Sequence, residues 1–160
     1  MRKAAVVDAP VSHHPGFLKR IQEMLGVHEL KSDQDLVKLV EQRLHIKTID
    51  RLRRFGLSDE EIYSLVVPRR TLTHRRARGE ALNLDESDRV VRVARIVALG
   101  EDVFGDRERS WRWLRTAKRQ FQGRTPLQLV ATEAGARLVE ELLYRIDEGM
   151  AAWRSWVGDG

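Results

Sequence analysis

The chain has 160 residues, of which 42% are hydrophobic and 33% are charged, a balance typical of one ordinary globular domain or two small ones. It contains no cysteine, which excludes a disulfide framework, a thiolate metal site and a thiol nucleophile. Residues 1–55 carry +4 of the formal net charge of +5, whereas residues 85–160 hold equal numbers of basic and acidic side chains. The basic front half favours a polyanionic partner such as nucleic acid, and the neutral back half needs a different role.

Residues 1–16 are predicted to form a mobile arm, because Pro10, Pro15 and Gly16 interrupt any regular apolar pattern. The first residues meet an acidic side chain before an apolar stretch of signal-peptide length develops. The apolar run at residues 90–99 is interrupted by arginine and is too short to cross a bilayer. We therefore expect a cytoplasmic protein.

Hydrophobic periodicity predicts helices along the rest of the chain, and no sustained strand-like alternation occurs. The first helix covers residues 17–25 and ends at Gly26, the second begins at the N-cap Ser32, and a third runs from about Lys47 to Phe55. The fold class is therefore predicted as all-α. Four apolar residues of the first helix fit a dimer contact or an intramolecular core, and both alternatives remain open: Phe17, Leu18, Ile21 and Met24.

Residues 58–78 have the pattern of a helix-turn-helix. Ser58 and Glu61 have the spacing of a capping box, in which the hydroxyl and the carboxylate each accept a hydrogen bond from the other residue's backbone N–H. Pro68, which is tolerated in a first turn, then starts a second short helix that ends at Gly79. This second helix contains five arginines and no acid.

Helical geometry sorts the side chains of this second helix onto faces. With Leu72 turned toward the core, steps of about 100° per residue put four side chains on the outward face, where they can reach base edges: Arg70, Thr73, His74 and Ala77. Three arginines lie toward the flanks, where phosphates are expected: Arg69, Arg75 and Arg78. A solvated basic helix without a ligand is the plain alternative. The capping box, the turn and the one-signed charge together favour double-stranded DNA, and the absence of a stacking aromatic disfavours RNA.

A long helix is predicted to begin near Asp85. Its buried side is apolar: Val90, Val93, Ala94, Val97 and Ala98. Its arginines recur at every third position and are predicted to be solvated or paired with acids: Arg89, Arg92 and Arg95. A short helix with Trp111 and Trp113 follows. Thr125 and Pro126 then have the spacing of an N-cap and a first helical residue, and a final helix is predicted between Thr132 and Gly149.

Several strings, in their order and spacing, resemble the antitoxins of the Xre/MbcA/ParS toxin-binding family. The strings are Glu86-Ser87-Asp88-Arg89, Val103-Phe104-Gly105-Asp106, Trp113-Leu114, Gly123-Arg124-Thr125-Pro126-Leu127, Thr132-Glu133-Ala134-Gly135-Ala136 and Val139-Glu140-Glu141-Leu142-Leu143. Upstream, Pro68-Arg69-Arg70-Thr71-Leu72 and Arg75-Arg76 are similar to the Xre-type DNA-binding domain of these antitoxins. The resemblance covers about residues 50–150. It departs from the family pattern at Ala117, where a proline is usual, and at Gln122, where a glycine is common.

The resemblance implies two separate roles for the chain. Residues 17–84 are expected to form a helical DNA-binding domain, and residues 85–160 a small helical domain that docks on a toxin of the RES class, whose members consume NAD. The family usually represses its own promoter, so we expect a repressor that binds operator DNA as a homodimer with one half-site per protomer. The alternative is a dimeric helix-turn-helix transcriptional regulator whose C-terminal domain serves only for self-association.

The residues after Gly149 are the candidate toxin-binding segment: Trp153, Arg154, Trp156 and Val157. Tryptophan and arginine are favoured anchors of protein interfaces, and two tryptophans near a chain end are costly to leave in water. The equally supported alternative is that both tryptophans fold back onto the core of the chain itself.

No catalytic or metal-binding constellation stands out. His13 and His14 are adjacent and do not share a helix face, and the other histidines lack ligand-like spacing. The sequence has no phosphate loop and no glycine-rich dinucleotide turn. We therefore predict no enzyme activity, no cofactor and no metal.

Overall fold

The described part of the chain is all-helical, as the sequence predicts. The computed structural model describes residues 15–158, with the backbone alone at residues 154 and 156–158. The predicted mobile arm, except for its last two residues, and the adjacent histidines lie outside the described residues. Within this range the α-helices are α1 (Phe17–Leu25), α2 (Asp33–Gln42), α3 (Thr48–Arg54), α4 (Asp59–Leu65), α5 (Arg69–Arg78), α6 (Leu84–Phe104), α7 (Arg107–Leu114), α8 (Pro126–Leu129) and α9 (Glu133–Gly158), with one 3₁₀ turn at Arg119–Phe121.

The central helix is α6, which contacts α1, α2, α7 and α9. The five residues predicted for its buried side are all fully buried, and Ile96 is buried as well, so packing surrounds the middle of this helix. Gly100 lets α7 approach closely, because a Cβ atom at this position would lie 2.5 Å from the hydroxyl oxygen of Ser110. The absence of a side chain at Gly100 therefore leaves room for the Ser110 side chain of α7 against α6.

The apolar residues of α1 belong to the intramolecular core. Phe17, Ile21 and Met24 are at most 2% exposed, and Leu18 packs partly buried against the same cluster. For Phe17, Ile21 and Met24 the intramolecular alternative is therefore confirmed, and their interpretation as dimer contacts is wrong. The physical reason is that α1 lies against α3 and α6, which cover its apolar face within one chain.

Two of the three arginines of α6 pair with acidic side chains, which confirms that prediction for Arg92 and Arg95, and the third bonds a backbone carbonyl. Arg92 pairs with Glu133 of α9, with 3.3 Å between its Nε and the carboxylate, and Arg95 pairs with Glu140 at 3.1 Å. Arg89 donates a hydrogen bond of 3.3 Å to the carbonyl at the C-cap of α4. These contacts fasten α4 and α9 to the central helix.

One predicted helix end is wrong. Gly149 lies inside α9, which continues as a single helix to Gly158. A glycine in a helix interior costs about 1 kcal/mol relative to alanine, so it does not stop a helix whose following residues are good helix formers. Residues 150–152 are methionine and two alanines, which favour continuation. The residues predicted as a tail therefore extend α9.

Candidate functional site

The helix-turn-helix consists of α4 and α5, joined by a tight turn. The capping box at its start is formed as predicted: the backbone N–H of Glu61 donates to the Ser58 hydroxyl at 3.2 Å, and that of Ser58 donates to the Glu61 carboxylate at 2.9 Å. Val66 and Val67 in the turn are buried, and Pro68 is the N-cap of α5. The buried turn fixes the angle at which α5 leaves α4.

The recognition helix candidate, α5, touches the core through a single buried residue, Leu72, which is 3% exposed. The four side chains that helical geometry places on the outward face are all exposed: Arg70, Thr73, His74 and Ala77. A shallow depression on this face is lined by five of the residues considered above together with Thr71: Arg69, Arg70, Thr73, His74 and Ala77. The Thr73 hydroxyl donates to the carbonyl of Arg69 at 3.0 Å, which leaves its oxygen free to accept.

Two arginines of α5, Arg70 on the outward face and Arg69 toward its flank, have no acidic partner within the described chain. Arg69 and Arg70 are exposed and form no ion pair with any residue between 15 and 158. Arg78 is 62% exposed and lies 3.7 Å from a Glu80 carboxylate oxygen, a loose surface contact. These three cations are placed where a polyanion can reach them, which agrees with their predicted role without testing it.

Arg75, predicted to contact phosphate, is engaged by two carboxylates. Its Nε lies 2.9 Å from Glu86, a residue of α6 that is almost fully buried, and its guanidinium lies 3.3 Å from Glu80. Charge-assisted hydrogen bonds to a buried carboxylate hold α5 against α6. Arg75 is therefore a positioning residue for α5 in this structure, and its assignment as a DNA contact stays a prediction.

A second positioning contact was not predicted. Arg76 donates to the Asp50 carboxylate of α3 at 2.6 Å, and Arg53 donates to the same oxygen at 2.8 Å. Since Arg76 and Asp50 are 26 positions apart in sequence, no spacing rule could pair them. Two of the five arginines of α5, Arg75 and Arg76, thus orient the helix through ion pairs, and the other three are exposed to solvent.

The C-terminal part of the chain is joined to the helix-turn-helix by Arg115, which follows α7. Its guanidinium donates to both carboxylate oxygens of Glu61, at 2.7 and 2.9 Å, and to the Gly56 carbonyl at 2.6 Å, and it stacks 4.2 Å from the Trp111 ring centre. Burial raises the pKa of Glu61, but hydrogen bonds from Arg115 and the Ser58 backbone outweigh it and hold that pKa below its ordinary value. The capping carboxylate of α4 is thus also the anchor of α7.

The candidate toxin-binding residues lie on the last turns of α9. Trp153 is 64% exposed, so for this residue the alternative of folding back onto the core is wrong: the helix carries it past the core. The side chains of Arg154, Trp156 and Val157 lie outside the described residues. An exposed tryptophan on a continuous helix has the character of an interface anchor.

Two further classes of site are absent from the described chain. Between residues 15 and 158, no group of three histidine, aspartate or glutamate side chains is arranged to hold a metal ion. None of the helices in that range is long and apolar enough to cross a membrane.

Two protein families match successive parts of the chain. The family described as the antitoxin Xre-like helix-turn-helix domain matches residues 35–95. The family described as the antitoxin Xre/MbcA/ParS C-terminal toxin-binding domain matches residues 99–149.

Individual relatives are similar to the chain over half or more of their length. Antitoxin Xre of Pseudomonas putida is 36% identical over 133 residues, which are 83% of this chain and 84% of that protein. Antitoxin Xre of Yersinia enterocolitica is 33% identical over 52% of this chain and 57% of its own length. Antitoxin Xre of Photorhabdus laumondii is 32% identical over 49% and 54%, respectively. With both family matches in chain order and a relative of this identity over most of both chains, the protein belongs to the Xre antitoxin family.

Proposed function

We propose that this chain is the antitoxin of a toxin–antitoxin pair, which binds operator DNA through α5, represses its own operon and neutralises a RES-class toxin that degrades NAD. DNA binding is assigned to residues 17–84 and toxin binding to residues 85–160, with the boundary at the start of α6. The toxin class and the autorepression rest on the family resemblance. The protein acts in the cytoplasm as a homodimer, and it needs no cofactor and catalyses no reaction.

The observation that carries the DNA-binding half is the outward face of α5. Arg70 is exposed on this face next to Thr73 and the small Ala77, and Arg69 is exposed toward its flank. Neither arginine has an ion pair in the described chain. Arginine can bind guanine with two hydrogen bonds in the major groove, and a small residue permits the close approach that such contacts need. Two-fold pairing of such helices would read two half-sites of an operator.

Variants of α5 test this half. We expect Arg70→Ala to weaken operator binding by about 1–3 kcal/mol and to relax the sequence preference, because a bidentate base contact is lost. Arg78→Ala, on the flank of the same helix, should lower the affinity for all sequences and make its salt dependence shallower. Fluorescence anisotropy with the promoter fragment and with a random duplex measures both. Identical behaviour of the two variants on both duplexes would contradict the assignment of faces.

The toxin-binding half is supported by the position of Trp153 at the exposed end of α9 and by the match to the toxin-binding family that precedes it. Removing the residues after Gly149 should weaken toxin binding while circular dichroism shows only the loss of the final turns. Trp153→Ala in the full-length chain should weaken binding in the same direction. Unchanged toxin affinity in both variants would contradict this placement of the interface.

A further inference from the structure

The segment from α7 to the start of α8 carries an unbalanced positive charge. Residues 107–124 contain seven basic side chains and one acid, Glu108, within a C-terminal part that is neutral as a whole. The basic residues are Arg107, Arg109, Arg112, Arg115, Lys118, Arg119 and Arg124. Residues 85–160 are therefore neutral as a whole only because the basic charge of residues 107–124 is balanced by an excess of acids in the rest of that range.

Three of these cations are neutralised by acids of the described chain. Arg107 lies 3.4 Å from Glu101, Arg112 lies 2.9 Å from Glu108, and Arg115 binds Glu61. Within residues 15–158 no acid is paired with the remaining four: Arg109, Lys118, Arg119 and Arg124. The unneutralised charge is concentrated in residues 118–124, which we call the basic turn.

The basic turn is closed by backbone hydrogen bonds. The N–H of Lys118 donates to the carbonyl of Arg124 at 3.0 Å, and the N–H of Gly123 donates to the carbonyl of Lys118 at 3.0 Å. The Lys118 ammonium lies 5.0 Å from the centre of the Trp113 ring, and burial lowers the pKa of this lysine. Arg119 and Arg124 are exposed on the same closed turn. Their guanidinium groups are therefore presented from a fixed backbone.

The basic turn begins three positions after Arg115, the residue that binds the end of α7 to the helix-turn-helix. Arg115 is bonded to Glu61 at the start of α4, and the first helix of a helix-turn-helix crosses the DNA backbone. The first turn of α4 is itself acidic, with Asp59, Glu60 and Glu61, so it does not supply cations for phosphate contacts. If DNA phosphates lie along this side of the motif, the cations that contact them have to come from a neighbouring element.

We propose that the basic turn is a second DNA-contacting surface, whose Arg119 and Arg124 bind phosphates beside the helix-turn-helix. This proposal rests on the DNA-binding half of the proposed function. The surface is polar and rich in unpaired cations, with exposed glutamines at positions 120 and 122. Protein–DNA interfaces are positively charged, whereas the centres of protein–protein interfaces are depleted of charge, so a phosphate backbone fits the basic turn better than a protein partner.

The test is the salt dependence of binding to a random-sequence DNA duplex of several helical turns. For the double variant R119Q/R124Q we expect a log–log slope shallower by about two, and an affinity lower by roughly tenfold at moderate salt. R119K/R124K should bind like the wild type, because a phosphate accepts any point charge. The control is R137Q/R145Q, which removes the same charge from exposed arginines of α9 that pair with acids one turn earlier on that helix. It should keep the wild-type slope.

The outcomes separate the two proposals. If the wild type binds the duplex, R78A weakens it, and R119Q/R124Q matches the control, then only the role of the basic turn is overturned. If the wild type does not bind duplex DNA at all, the DNA-binding function fails and this proposal fails with it. Loss of toxin binding in R119Q/R124Q with an unchanged DNA slope would assign the turn to a protein partner and overturn its role in DNA binding.

Discussion

Gln122, in the basic turn, adopts a left-handed backbone conformation with φ 56° and ψ 38°. For a residue with a side chain this conformation costs roughly 1–2 kcal/mol, because Cβ approaches the following carbonyl. Gly123 follows with φ 82°, so the chain reverses direction over two consecutive residues of positive φ. Glycine, which is common at this position in the family that the chain resembles, adopts this conformation without strain. Here the turn has the same left-handed conformation although the residue is glutamine.

Replacing Gln122 by glycine should therefore stabilise the protein. We expect the free energy of unfolding to rise by about 0.5–1 kcal/mol, the relief of strain being partly offset by the greater freedom of glycine in the unfolded chain. Urea denaturation followed by circular dichroism measures the change. The matched control is Gln120→Gly, in the 3₁₀ turn, which should destabilise by about 0.5–1 kcal/mol. Destabilisation by both glycines would contradict the strain at Gln122.

At the scale of single residues, positions on one helix could be predicted from the sequence, but contacts between helices could not. The outward position of Arg70 follows from Leu72 and the helical repeat, so it could be predicted. The pairing of Arg75 with Glu86 could not, because it joins two helices whose relative placement periodicity does not encode. The strained Gln122 was signalled only by its departure from the family pattern.

At the scale of elements, α4 and α7 share one carboxylate. Glu61 caps α4 and receives both hydrogen bonds from Arg115, and its pKa is held below the ordinary value of 4.5. A carboxyl whose folded-state pKa is lowered stabilises the fold above its ordinary pKa. That contribution is lost as the pH falls through the folded-state value. The α4–α7 contact is therefore sensitive to acid.

Glu61→Gln should remove this acid sensitivity while keeping the cap, since glutamine also serves in a capping box. At neutral pH we expect the variant to be less stable by about 0.5–1 kcal/mol, as for a partly exposed ion pair. The difference from the wild type should shrink as the pH falls below 4.5. Urea midpoints across that range measure it. Glu60→Gln, a change at an exposed neighbour, should leave the acid sensitivity of wild type intact, and a pH-independent difference for Glu61→Gln would contradict the account.

The ends of helices could be predicted where capping residues, proline or glycine stand next to them in the sequence. The capping box at Ser58, the N-cap Thr125 with the proline that follows it, and the glycine that ends α1 all act within a few residues, so sequence alone locates them. The end of α9 has no such signal at Gly149, and there the prediction was wrong. The junction of α7 with α4 depends on contacts across 54 positions and could not be read from the sequence.

At the scale of the whole molecule, α6 belongs to both parts of the chain. It begins at Leu84, inside the helix-turn-helix match that ends at residue 95, and continues into the toxin-binding match that begins at residue 99. Its buried residues join those of α1 and α9 in one hydrophobic cluster. The outward face of α5 and the exposed end of α9 are therefore presented by one continuous core. The two proposed roles use separate surfaces, so variants should remove one role without the other.

The most direct measurement is co-expression of the chain with the product of the adjacent gene, scored by growth and by co-purification. We predict that the wild type rescues growth and forms a stable complex. The α5 variant Arg70→Ala should rescue equally well, whereas the chain cut after Gly149 should rescue poorly. Absence of both rescue and complex with the wild type would contradict the antitoxin function, and would leave a helix-turn-helix regulator whose C-terminal part serves for self-association.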